Sequence, residues 1–124
     1  MFEKYMLDKP HKKLDVWKKS VVLVRKIYEI TIHFPKTEIY GLTTQMRRAA
    51  VSIPANISEG AARQTKREFI QFLHMAQGSL SELDTLLEIS KELEYLEIND
   101  DENFLSLMND IDKMLTGLIK SLKN

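Results

Sequence analysis

Between Phe69 and Ser90 an apolar or small residue recurs at alternating steps of four and three: Phe69, Leu73, Ala76, Leu80, Leu83, Leu87, Ser90. A seven-residue repeat held that long keeps one face of an α-helix turned toward its neighbours, the pattern of helices packed at shallow crossing angles. A second stripe runs beside it through Phe72, Met75, Ser79, Glu82, Leu86, Ile89 and Leu93. Thr65 and Glu68 have the spacing of a capping box, so the helix is expected to start there. The same rhythm returns in Phe104, Met108, Ile111, Leu115, Leu118 and Leu122, opened by a second capping-box-like pair, Asn99 and Glu102.

Two helices are expected before these. The first spans roughly 14 to 33 and carries two stripes, one of Leu14, Trp17, Val21, Val24 and Tyr28 and one of Val16, Leu23, Ile27 and Ile30. Together they cover more than half of its circumference, and Val22 stands alone within the polar arc. Pro35 ends this helix by disfavouring α geometry at Phe34. The second spans roughly 40 to 61, with Leu42, Met46, Ala50, Ile53 and Ile57 as its stripe and Gly60 as an end signal. Pro54 lies inside it. The stripe keeps its phase across Pro54, which predicts a kinked but continuous helix, with Asn56 a candidate partner for the carbonyl freed at Ala50.

Links of a few residues between long helices make antiparallel neighbours. The expected fold is therefore all-α, an antiparallel up-and-down four-helix bundle over residues 13–124, its second helix kinked at Pro54, preceded by an arm of residues 1–12, mobile or docked. Hydrophobic residues are 44% of the chain, enough for one core, and charged residues are 29%. No apolar run is long enough to span a membrane, and the first residues lack the apolar core of a signal peptide. With no cysteine there is no disulfide and no thiolate site, which fits a cytoplasmic protein.

The net charge of zero conceals an asymmetry. Residues 1–75 hold 14 Lys and Arg against 7 Asp and Glu, and residues 76–124 hold 4 against 11. The plainer reading is that basic and acidic helices neutralise each other within a bundle or an oligomer. The sharper one is an anionic partner on the basic half.

Chemistry-bearing patterns are sparse. None of His11, His33 and His74 follows a Glu at the spacing of three that a bundle-core di-iron site uses, so no metal or other cofactor is expected. The four glycines are dispersed, leaving no phosphate loop and no small-molecule substrate evident. Gly78 and Gly117 fall inside helices, where close helix approach would explain them. Asp100, Asp101 and Glu102 suit the first turn of the last helix. Nothing points to an enzyme. The candidate site is basic: Arg47 and Arg48 on the second helix, and Arg63, Lys66 and Arg67 at the next junction, facing either RNA or DNA phosphates or the acidic half across an interface. The wide apolar coverage of the first helix points to self-association.

Residues 39–60 read IYGLTTQMRRAAVSIPANISEG. This segment resembles the bacterial four-helix-bundle family first noticed as open reading frames in intervening sequences of large-subunit ribosomal RNA genes, often labelled ribosomal-protein-like. The similarity extends through LDVWKKSVVLVRKIYEIT before it and KREFIQFLHMAQGSLSELDTLL after it, over about residues 13–96. The accessory protein of diversity-generating retroelements is similar in fold and binds nucleic acid and a reverse transcriptase through a strongly basic surface, whereas this chain has a pI of about 6.8. The resemblance implies a ring-shaped homopentamer with no catalytic residues, a non-catalytic scaffold that docks a nucleic acid or nucleoprotein. The alternative is a purely protein-binding or structural homo-oligomer.

Overall fold

The computed structural model describes the backbone of residues 2–124 and the side chains of residues 5–97 and 104–124. The described residues are helical, without a strand: α1 (Phe2–Leu7), α2 (Asp15–Thr31), α3 (Leu42–Ala61), α4 (Lys66–Glu92) and α5 (Ile98–Lys123). Short 3-10 turns at Pro10–Lys13 and Lys36–Glu38 precede α2 and α3. The four long helices pack in a closed cycle, α2 on α3, α3 on α4, α4 on α5 and α5 back on α2. No helix of the described residues is long and apolar enough to cross a membrane.

One core fills the cycle. The 4-3 stripe of α4 is its spine, with Leu73, Ala76, Leu80, Leu83, Leu87 and Ser90 all buried. Leu42, Met46, Ala50, Ile53 and Ile57 of α3 meet it, as do Phe104, Met108, Ile111 and Leu115 of α5. In α2 the outcome is less expected. The buried line is Val16, Ser20, Leu23, Ile27 and Thr31, while Val21 and Tyr28 of the other, wholly apolar stripe stay 42% and 43% exposed. Two polar residues enter the core because each hydroxyl donates back to its own helix, Ser20 Oγ to the Trp17 carbonyl and Thr31 Oγ1 to the Ile27 carbonyl, both at 2.7 Å. Neither adds an unsatisfied group.

Helix ends follow local chemistry. Thr65 caps α4 as its spacing predicts, its Oγ1 accepting from the Glu68 N–H at 3.1 Å and donating to the Glu68 carboxylate at 2.9 Å. At its other end α4 stops at Glu92, and the link runs from Leu93 to Glu97. Glu94 takes the left-handed conformation (φ 61°), the Tyr95 N–H reaches back to the Ser90 carbonyl and the Glu94 N–H to the Lys91 carbonyl. This is a Schellman end with Glu where Gly is usual, so no glycine announced it. The proposed Asn99–Glu102 cap and the Asp100–Glu102 cluster lie outside the described side chains. The start of α3 has no cap of its own at Gly41. The Glu38 carboxylate substitutes: Oε1 accepts from the Leu42 N–H at 3.2 Å and Oε2 from the Tyr95 hydroxyl at 3.0 Å, tying α3 to the α4–α5 link. That hydrogen bond to a carboxylate pushes the Tyr95 phenol above its usual pKa, with desolvation adding to it.

Two glycine assignments reverse. Nothing lies within 4 Å of a Cβ built on Gly78 or Gly117, so neither marks a close helix approach. The close approach is at Gly60, where a Cβ would sit 2.7 Å from Phe72 Cβ and 2.9 Å from Phe69 Cδ1. Helix α3 runs unbroken through Pro54 to Ala61. Asn56 donates to the Ser52 carbonyl at 2.8 Å, not to that of Ala50.

The segment read as an aperiodic arm includes the short helix α1. The following turn packs on α2 and α3, and the His11 ring meets the edge of Trp17 at 5.0 Å between centroids. Burial, then Lys12 and Lys9, pulls the His11 pKa below its usual value.

Candidate interface on the second and third helices

The five basic residues singled out in the sequence form two groups. Arg47 and Arg48 sit in the first third of α3, and Arg63, Lys66 and Arg67 at the α3–α4 corner. Arg63 lies just beyond the end of α3 at Ala61, and the helix from Arg48 to Ala61 alone spans about 20 Å at 1.5 Å per residue. The fold therefore does not merge them into one patch.

Arg47 is half-buried and engaged. Its Nε donates to Thr31 Oγ1 at 2.9 Å, and its guanidinium lies over the Tyr28 ring at 4.5 Å. Such a contact holds the charge in place, and the terminal N–H groups make no hydrogen bond among the described residues. Arg48, one position on, is exposed and makes no hydrogen bond or ion pair among the described residues. Around both arginines runs an apolar groove between α2 and α3, lined by Tyr28, Val51 and Ala55 with Thr44 and Ser52. Val51 is 43% exposed. The apolar stripe of α2 that stayed out of the core thus borders the arginines of α3.

At the corner, Arg63 pairs with Glu59 at 3.0 Å and stacks on Phe72 at 4.8 Å. Its charge is partly spoken for, although an exposed pair of this kind contributes only about 0–1 kcal/mol. Lys66 and Arg67 are exposed in the first turn of α4, with no partner among the described residues. Sequence reasoning missed the opposite groove, between α4 and α5, lined by Leu80, Asp84, Leu105, Met108, Asn109 and Asp112. The signal was present in the acidic excess after residue 76, but the side that those charges occupy depends on the packing. No cluster of three or more metal-ligating side chains occurs among the described residues.

Residues 12–117 match the 23S rRNA-intervening sequence protein family. The chain belongs to that family. A similar fold is seen in the crystal structure of a protein of unknown function from the S23 ribosomal protein family of Bacteroides thetaiotaomicron VPI-5482. It is 27% identical, with a TM-score of 0.75 over 85% of this chain and 98% of that one. No curated protein matches. The region matched to the 23S rRNA-intervening sequence protein family contains all four long helices' cores and both grooves, so the surfaces above belong to the family's shared fold and not to an appendage.

Proposed function

We propose that the chain is a non-catalytic, self-associating helical scaffold, built as an antiparallel up-and-down four-helix bundle with α3 kinked at Pro54 and assembled as a ring of five copies. The observation that carries self-association is the set of apolar side chains left outside the core: Val21, Tyr28 and Ile32 on and just after α2, and Val51 of α3, which lines one groove with Tyr28. Contiguous apolar surface of this kind marks an interaction site. Antiparallel packing is supported by the α3–α4 pairings, in which Met46 meets Ser90, Ser52 meets Ser79 and Gly60 meets Phe72, one number falling as the other rises. The kink is supported by the N–H that Pro54 lacks. Light scattering on a size-exclusion column gives the mass directly. A monomer of 14.4 kDa at every micromolar concentration refutes the reading.

A second role, docking a nucleic acid or nucleoprotein, rests on Lys66 and Arg67, two unpartnered cations in the first turn of a 27-residue helix, beside Arg63. Repetition around a ring would add weak contacts by multivalency. Retention of single-stranded RNA at about 50 mM salt, lost with Lys66→Glu and Arg67→Glu and lost at high salt, supports it. Absence of wild-type retention at low salt leaves the structural homo-oligomer alone.

A further inference from the structure

Among the described residues, ion pairs between the basic and the acidic helices of one copy are sparse. Among the described residues a single ion pair joins the basic half to the acidic half, Lys19 with Asp110 at 3.4 Å. The other three are local in sequence, three or four residues apart: Arg25 with Glu29, Arg63 with Glu59 and Lys91 with Glu88. The opposite charges are instead sorted by face. The groove between α2 and α3 carries Arg47 and Arg48 on an apolar floor, and the groove between α4 and α5 carries Asp84 and Asp112 around the exposed Leu105. In the closed helix cycle these two pairs share no helix, so the grooves lie on different sides of the molecule.

We propose that the two faces are the halves of one head-to-tail interface, the Arg47–Arg48 face of one copy docking on the Asp84–Asp112 face of the next. This rests on the self-association reading and names its surfaces. The alternative two-fold arrangement would set each face against its own copy, arginines on arginines or aspartates on aspartates, and like charges at an interface oppose association. Pairing unlike faces sets Leu105 against the apolar floor of the α2–α3 groove while guanidinium meets carboxylate at the rim. Arg47 is suited to this: Thr31 holds its Nε and Tyr28 its face, and its terminal N–H groups make no hydrogen bond among the described residues. A head-to-tail contact uses both faces of every copy, and it closes into a ring or continues as a filament according to the rotation between neighbours.

Two single substitutions test the pairing, Arg48→Glu and Asp84→Lys. Both residues are exposed and without hydrogen bond or ion pair among the described residues, so each variant should keep the wild-type helical circular dichroism. Each alone should assemble at least about tenfold more weakly than wild type at low salt. The chain carrying both substitutions should recover assembly, because every interface then sets the exchanged charges against each other, in a ring of any size. Assembly of either single variant as tight as wild type overturns the pairing, and so does a double variant no tighter than the single ones. A wild type that never assembles refutes self-association itself, a different result from assembled variants.

Discussion

Replacing Gly60 by Ala adds one methyl group where α3 and α4 touch. The new Cβ would meet Phe72 Cβ at 2.7 Å, Phe69 Cδ1 at 2.9 Å and the Phe69 carbonyl oxygen at 3.3 Å. The Phe69 ring can turn, but Phe72 Cβ and the Phe69 carbonyl are fixed to the backbone of α4. Relief therefore requires the helices to part by several tenths of an ångström at this point, and overpacking of that kind costs about 1–3 kcal/mol. Against it stands the preference of a helix for Ala over Gly, about 1 kcal/mol in a helix interior and less here, one residue from the end of α3. The balance is a loss of about 1–2 kcal/mol. Gly78→Ala and Gly117→Ala provide the control: both sites are exposed with nothing within 4 Å, so each should gain about 1 kcal/mol. Urea unfolding followed by far-ultraviolet circular dichroism, at one protein concentration for all four chains, reads the sign directly. A Gly60→Ala variant as stable as wild type, with the two controls stabilised, would refute the close-approach argument.

Thr31→Val removes the hydroxyl that donates to the Ile27 carbonyl and accepts from Arg47 Nε, and should cost about 1–2 kcal/mol in the same assay. Glu94→Gly relieves a left-handed residue at the Schellman end of α4 and should stabilise by about 0.5–1 kcal/mol. The raised Tyr95 pKa means that the folded chain favours the neutral phenol, so the contribution is fully present below pH 10.0, the usual value, and is lost as the pH rises through the higher folded value. Unfolding measured across that range should show a steeper alkaline loss in wild type than in Tyr95→Phe, and parallel curves would remove the Glu38–Tyr95 tie from the account.

What the sequence revealed depended on how much each pattern left to tertiary choice. The 4-3 stripe of α4 and the stripe of α3 admit one buried face each, and the structure buries it. The α4 cap was legible because Thr65 and Glu68 satisfy each other locally. Helix α2 offered two apolar faces, and hydropathy favours the wrong one: the buried line contains Ser20 and Thr31, whose hydroxyls cost little once they bond along their own helix. The glycines misled because spacing says that a residue lacks a side chain but not what stands opposite it. The basic residues looked like one cluster in the one-dimensional text, yet Arg48 lies near the start of α3 and Arg63 beyond its far end. The groove carrying Asp84 and Asp112 joins residues nearly thirty positions apart, a distance that no local motif spans.

The chain has one tryptophan, and the structure sets it against a titrating ring from the segment ahead of α2. Indole emission is therefore a label-free optical gauge of whether that segment is seated. Because Trp17 belongs to α2 itself, an assembly experiment that also records fluorescence tells a copy that has shed its amino-terminal turn from one that has merely lost a neighbour.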